Sequence, residues 1–343
     1  MASYSHSEVL DRRNEAFTIQ SPVGSLDGLR TSCTDNILVW QWDESTGWNT
    51  PEIRAYGPLP IMPSASVLQY ATECFEGIKV YRGYDHKLRL FRVHRNCERM
   101  LKSSLRVGLP GFSIADLESM IVHFAALEAK KWLPNDRKGE ALYLRPTHIG
   151  TTATLGLQKT RHSLLYIVAT MAPGFSISGG GGMKLITSPE NHIRAWPGGF
   201  GNTKLGANYG PTLIAHDEAI RANFDQVLWL YGTENYVTEA GASNFFVIWR
   251  SPRGDLELVT AGLDNHTILE GVVRSSVLEI VRSNYNRSDA WMVNGHLLKP
   301  LKMVERDFSI KEVHEAAREN RLIEAFAAGT AVRGNTPGVN AIN

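Results

Sequence analysis

The sequence predicts a mixed α/β (α+β) chain built as two domains. Three observations carry that expectation. Short apolar runs rich in β-branched and aromatic residues recur along the chain, one long stretch has helical periodicity, and the composition changes abruptly at 173–182, Pro-Gly-Phe-Ser-Ile-Ser-Gly-Gly-Gly-Gly. Four successive glycines lose too much backbone entropy on ordering to hold a strand or helix well, so this is the natural boundary. A chain of 343 residues is long enough for two domains of ordinary size, each with its own core. The expected organisation is a small N-terminal domain at 1–172, a connecting loop at 173–184, a second domain at 185–332 and a loose tail at 333–343, which has no apolar period.

In chain order, 37–42, 87–91 and 164–171 read as strands. Residues 92–106 carry a basic cluster without interleaved aromatics and read as a helix with solvated charges, Arg99 being reserved for a role given below. Around 113–133 the pattern is strongly helical. Ser113-Ile-Ala-Asp116 can cap its start, and Leu117, Ile121, Phe124 and Leu127 fall on one stripe that belongs to the core. Residues 267–281 read as a turn opening a helix, with Val273, Val277, Ile280 and Val281 on one face.

Charge and motif content exclude several functions. With 36 basic against 35 acidic residues the formal net charge is +1, so no field gathers nucleic acid or an anionic membrane. Cys33, Cys74 and Cys97 are too few and too unevenly spaced for a disulfide framework or a zinc site, which favours a reducing compartment. No run of eighteen apolar residues occurs, and the first ten residues resemble neither a signal nor a convincing mitochondrial peptide, so the expected location is cytoplasmic. Residues 199–204 begin like a dinucleotide fingerprint but lack its third glycine, and neither a nucleotide phosphate loop nor a zinc helix of the His-Glu-x-x-His type is present. His94, His148, His192 and His216 have no paired spacing and read as ordinary polar residues, so no metal is expected.

The residues that could carry chemistry lie mainly in the second half. Lys204 sits in Trp196-Pro-Gly-Gly-Phe-Gly-Asn-Thr-Lys-Leu-Gly-Ala-Asn-Tyr-Gly210, where five glycines in fifteen residues would let backbone approach a flat ligand and an amine form an imine with a carbonyl. Glu239 leads into the apolar run 245–249, which would hold its carboxylate at the edge of a buried strand. Such a group could keep a pyridine nitrogen protonated and so make the ring an electron sink. The helix start would offer the free amides of Val272 and Val273, an anion site needing no charged side chain. Ala327-Ala-Gly-Thr-Ala331 adds the Thr330 hydroxyl and further amides. Each piece alone reads at least as well as plain structure.

Together and in this order the pieces resemble the class IV aminotransferases, specifically the branched-chain amino acid aminotransferases. The resemblance runs from about Trp40 to Thr330, through Phe75-Glu-Gly-Ile-Lys-Val-Tyr-Arg-Gly83, Arg89-Leu-Phe-Arg92, Leu142-Tyr-Leu-Arg-Pro-Thr-His-Ile-Gly-Thr151, Arg194-Ala-Trp-Pro-Gly-Gly199, Gln226-Val-Leu-Trp-Leu-Tyr-Gly232 and Thr238-Glu-Ala-Gly241. It implies the fold type IV of pyridoxal 5'-phosphate enzymes, with the second domain binding the cofactor. Lys204 would carry the cofactor as an aldimine and act as the catalytic base, Tyr209 would meet the phenolic oxygen and Glu239 the ring nitrogen. Arg99, Val272, Val273 and Thr330 would hold the phosphate. Tyr70, Phe75, Tyr143 and Arg145 would lie on the substrate side with the turns at Ala242 and Ala331, and Phe175 in the connecting loop would lean over the pocket.

The implied reaction moves the amino group of a branched-chain or related aliphatic L-amino acid to 2-oxoglutarate, in a homodimer where Tyr70 acts across the interface. Two features depart from the family pattern. Ala242 stands where a threonine usually helps hold the substrate carboxylate, and the chain ends at Asn343, shortly after Thr330, where the family continues. They keep two alternatives open: a paralogue supplying an unusual amino acid for a peptide natural product, and a truncated inactive relative. The Cys-x-x-Cys pair of vertebrate members is replaced by Val332-Arg-Gly-Asn335, so no thiol switch is expected.

Overall fold

The computed structural model describes residues 33–172, 182–284 and 300–330, with the backbone of short strands at 18–19, 291–293 and 296–298. The chain divides into two compact units, Met1–Gly174 and Phe175–Asn343.

The first unit contains β1 (Thr18–Ile19), β2 (Asn36–Asp43), β3 (Gly47–Trp48), β4 (Glu52–Ala55), α1 (Ser66–Tyr70), β5 (Glu73–Phe75), β6 (Ile78–Arg82) and β7 (Leu88–Leu90). It continues through α2 (Val93–Arg106), α3 (Ile114–Trp132), β8 (Ala141–Gly150) and β9 (His162–Met171). Its sheet runs β1-β4-β2-β9-β8-β6-β7, with β3 on β2 and β5 on β8. β8 and β9 pair antiparallel over their full length, Leu142 opposite Met171 through to Gly150 opposite Ser163. α3 packs against α2 and this sheet. Leu117, Ile121 and Phe124 are fully buried on the stripe the sequence predicts, each contributing about 1.5–3 kcal/mol of burial. Leu127 is only half-buried, and Glu128 takes the buried position beside it because its carboxylate accepts a bond from Asn36 at 2.6 Å. The Ser113 hydroxyl accepts from the Asp116 amide, capping the helix as expected.

The second unit comprises β10 (Leu185–Thr187), two single-turn 3-10 segments at Gly206–Asn208 and Gly210–Thr212, α4 (Leu213–Arg221), β11 (Gln226–Tyr231), β12 (Tyr236–Ala240) and β13 (Ser243–Arg250). After these come β14 (Leu256–Thr260), α5 (Val272–Asn284), β15 (Trp291–Val293), β16 (His296–Leu298), β17 (Lys302–Glu305), α6 (Ile310–Arg318) and β18 (Leu322–Ala328). The main sheet is ordered β10-β11-β12-β13-β14-β17, and β18 pairs with β13. Its core gathers Phe245, Val247, Trp249, Val259, Phe308, Val313 and Ala325 around the apolar run at 245–249. Phe246 points the other way, stacked on Phe326 at 4.9 Å and packed with Leu278 and Val281 of α5. α6 begins with a complete capping box between Ser309 and Glu312.

One sequence expectation for α5 fails. Ile280 is 53% exposed, whereas Arg274 is 1% exposed. The inward face is set by an ion pair rather than by apolar spacing: Arg274 donates to Glu305 at 2.6 Å and to the Ala261 carbonyl at 2.8 Å. A paired arginine can occupy a core position that a bare hydrophobic count assigns elsewhere.

Candidate active site

Lys204 lies in the irregular segment between β10 and α4, held by its neighbours rather than by a sheet. The Phe200 carbonyl accepts from the Thr203 amide, the Thr203 hydroxyl and the Asn208 side chain, and the same Asn208 nitrogen donates to the Thr203 carbonyl at 2.8 Å. This fixes the backbone on either side of Lys204. The lysine itself is half-buried, and its Nζ donates to the Tyr209 hydroxyl at 2.9 Å. The single-turn segment Gly206–Asn208 between the two residues brings them face to face.

One of the nearby glycines admits another stretch of the chain. A Cβ at Gly201 would stand 2.6 Å from the His266 carbonyl oxygen and 2.9 Å from the Thr267 carbonyl carbon. At this position glycine admits a second stretch of backbone, the turn that leads into α5.

Glu239 sits on β12, paired with the start of the strand that carries the apolar run at 245–249, and is 2% exposed. Its Oε2 meets the Arg194 guanidinium at 2.7 Å, and Arg194 is itself buried. Its Oε1 accepts from the Leu269 amide at 2.9 Å and from the Asn244 side chain at 3.1 Å. A buried carboxylate is tolerable when it is paired and hydrogen-bonded in this way. Arg194 also donates to the Thr267 carbonyl at 3.3 Å. The lysine segment, the β12–β13 hairpin and the 266–271 turn are thereby bonded to one another.

α5 starts at Val272, which is buried, followed by half-buried Val273. Gly271 supplies the carbonyl that accepts the first intrahelical bond, from Ser275 at 2.9 Å, so the first-turn amides have no helical partner and mark the positive end of the dipole. Thr330 follows β18 and is half-buried. Ala242 occupies the exposed hairpin turn beside Gly241, whose φ of 57° suits glycine. Ala331 and Phe175 lie outside the described residues.

Arg99, Tyr70, Phe75, Tyr143 and Arg145 belong to the first unit. Arg99, on α2, grips the buried Glu76 in a two-pronged bond, Nε to Oε1 at 2.7 Å and Nη2 to Oε2 at 2.8 Å, and Asn96 adds a bond to Oε2 at 2.9 Å. Arg145 stacks over the Phe75 ring at 4.7 Å and the Tyr143 ring at 5.2 Å, and donates to the Tyr143 hydroxyl at 3.1 Å. The Tyr143 ring lies on Gly77, where a Cβ would come within 2.1 Å of the hydroxyl. Burial raises the Glu73 carboxyl above its ordinary range, and Arg145 pulls it partly back. The Tyr70 hydroxyl donates to the Leu155 carbonyl.

The second-unit donors fit pyridoxal phosphate chemically: an amine beside a phenol, a buried carboxylate for the ring nitrogen and helix-start amides for the phosphate. Among the described residues no cluster of histidine, cysteine, aspartate or glutamate suits a metal ion. Sequence reasoning missed Arg194, Asn244 and Glu76 as supports. Asn244 was findable, because the two-residue turn at 241–242 places it directly across from Glu239.

Comparison with known proteins identifies the family. A family model described as amino-transferase class IV matches residues 73–331. The mitochondrial branched-chain-amino-acid aminotransferase of Schizosaccharomyces pombe is 43% identical over 298 residues, covering 87% of this chain and 66% of that protein. The cytosolic enzymes of Mus musculus and Saccharomyces cerevisiae are 40% and 41% identical, over 87% and 88% of this chain and 73% and 76% of theirs. The chain thus spans about two thirds to three quarters of these relatives. Among solved structures, the branched-chain aminotransferase of Thermoproteus uzoniensis with norvaline has a TM-score of 0.66 at 20% identity, covering 90% of this chain and 88% of that one. The PLP form of the Thermobaculum terrenum enzyme scores 0.65 at 19%, covering 91% and 87%. These structures establish the fold, and the sequence matches establish the lineage. The chain belongs to the class IV aminotransferases, within their branched-chain-amino-acid aminotransferase family.

Proposed function

We propose that this protein transfers the amino group of a branched-chain or related aliphatic L-amino acid to 2-oxoglutarate. The observation that carries the reading is Lys204 held on Tyr209 within the unit that buries the Arg194–Glu239 pair. Pyridoxal 5'-phosphate, when bound, supplies a carbonyl carbon that takes the amino group and a ring that accepts the electron pair left by the departing α-proton. Lys204 Nζ would take the proton from the substrate Cα and deliver it, within the same half of the cycle, to the carbon that has received the nitrogen. The Tyr209 hydroxyl orients that amine. The Glu239 carboxylate, its rotamer fixed by Arg194, would meet the ring nitrogen. The Val272 and Val273 amides, Arg99 and Thr330 would hold the phosphate.

The substrate-side roles proposed from the family are Phe75, Tyr143 and Tyr70 for the side chain, Arg145 for its polar end, and Ala242 and Ala331 for the carboxylate. Ala242 supports a second reading, a shifted side-chain preference, because the turn has no side-chain hydroxyl to offer a substrate carboxylate. A homodimer with Tyr70 acting across its interface, in the cytoplasm, completes the proposal.

The test is the visible spectrum of purified protein loaded with pyridoxal phosphate, before and after leucine, beside Lys204→Ala. A leucine-dependent change absent from the variant is expected. A spectrum that leucine leaves unchanged but a longer or functionalised donor alters would select the second reading, and no cofactor uptake would overturn both.

A further inference from the structure

Asn244 does more than fill a strand position. It is 4% exposed and stands across the hairpin from Glu239. Both hydrogens of its side-chain nitrogen are used, one toward Glu239 Oε1 at 3.1 Å and one toward the Leu269 carbonyl at 2.8 Å. The Leu269 amide donates to the same Oε1 at 2.9 Å, which closes a three-cornered circuit between a strand, a carboxylate and a turn.

The other side of the amide meets Gly271. A Cβ there would lie 2.1 Å from Asn244 Oδ1, nearer than real Cβ atoms come to any neighbour. Gly271 immediately precedes α5 and accepts its first helical bond. One neutral side chain therefore touches the carboxylate on one flank and the helix start on the other.

We infer that Asn244 is a positioning residue that sets the spacing between the Glu239 carboxylate and the first turn of α5, and so matches the ring nitrogen and the phosphate of one cofactor at once. This rests on the cofactor reading given above. The ring and phosphate of pyridoxal phosphate are joined by a short linker, so both ends bind together only if the two protein groups keep that spacing. The residue type follows from the circuit. Aspartate would set a second negative charge against Glu239, and an aliphatic side chain would leave Oε1 and the Leu269 carbonyl each short of a donor.

The experiment uses the full chain stripped of cofactor and measures the dissociation constants of pyridoxal phosphate, pyridoxal and inorganic phosphate for wild type, Asn244→Ala, Gly271→Ala and the double variant. Pyridoxal phosphate is expected to weaken about 30-fold in either single variant, pyridoxal and phosphate alone by about twofold or less, and the double variant no further than the singles. Losing the same contact from either side makes the effects non-additive. The inference is overturned if pyridoxal and phosphate weaken as much as pyridoxal phosphate does, if the single losses add, or if neither variant changes binding. Should Asn244→Ala fail to fold by circular dichroism, the fragment comparison on Gly271→Ala decides alone. A wild type that binds no pyridoxal phosphate overturns the cofactor reading and this inference with it.

Discussion

One buried polar network in the second unit differs in kind from two in the first. In the second, Arg194, Glu239, Asn244 and the carbonyls of Thr267 and Leu269 form one connected network that bonds the lysine segment, a hairpin and a helix start to one another. In the first, two further networks of buried polar groups stand apart from each other. Glu76, Asn96 and Arg99 join α2 to the loop before β6, while Cys74, Ser104, His148 and Ser163 form a chain with contacts of 3.2, 2.9 and 3.0 Å. The proposed substrate-side residues Phe75, Tyr143 and Arg145 stand outside both sets, half-buried. The network around Glu239 connects the segments proposed to hold the cofactor, whereas both sets in the first unit fasten helix to sheet, as the Arg274–Glu305 pair does in the second.

The strongest way to break this comparison is at Lys204. Lys204→Ala should lower turnover by on the order of 10⁴-fold while leaving the thermal midpoint nearly unchanged, since a half-buried amine bonded to one phenol contributes little to folding. Steady-state assay and calorimetry on the same preparation check both halves.

Next come the buried ion pairs. Arg194→Met leaves Glu239 buried without its counter-ion and is expected to cost about 3–5 kcal/mol. Glu76→Gln keeps the shape and part of the hydrogen bonding around Arg99 and should cost less, about 1–3 kcal/mol. Urea unfolding of both variants measures the contrast, and equal losses would erase the distinction between the units.

A smaller effect sharpens it through pH. Burial pushes the His148 imidazole down from an ordinary value of 6.5 to about 3, with Ser104 and Ser163 bonded to its two nitrogens. The folded state therefore binds this proton less well than the unfolded chain. Stability is complete above pH 6.5 and declines as pH falls from there toward 3, by about 1.4 kcal/mol per unit. Between pH 7.5 and pH 5 the first unit should lose about 2 kcal/mol from this group, a loss that His148→Gln removes from the pH profile of urea unfolding. The same burial pushes the Cys74 thiol up to about 12, so alkylation of this cysteine should be slow in the folded protein.

The smallest expected effect is at the hairpin turn. Ala242→Thr adds a hydroxyl and should lower the KM for leucine about 2- to 12-fold, the equivalent of about 0.5–1.5 kcal/mol, with a thermal midpoint shift too small to separate from wild type. No change in KM would mean that the backbone amides of the turn suffice.

Much of this was legible in the amino-acid sequence, for identifiable reasons. The helix at 114–132 announced itself because its stripe is apolar and its cap is a serine, both local properties. β13 was visible because the run at 245–249 is continuously apolar. Lys204 and Glu239 stood out because lysine among glycines and glutamate beside a buried strand are costly placements. Reading failed at Ile280 and Arg274, because the inward face of α5 is chosen by Glu305, about thirty residues further along the chain. The close approach of 266–267 to Gly201 was not legible for the same kind of reason, since only the folded chain brings them together.

By itself the sequence determined which residue types could do the chemistry, the stripe and cap of α3, and the family. These depend on side-chain identity and on spacing within one element. Tertiary structure alone decided that Arg194 pairs with Glu239, that Glu76 holds Arg99, and that Asn244 spans from a carboxylate to a helix start. Each of these joins residues on different elements, and a bond between elements exists only once the chain has brought them within hydrogen-bonding distance.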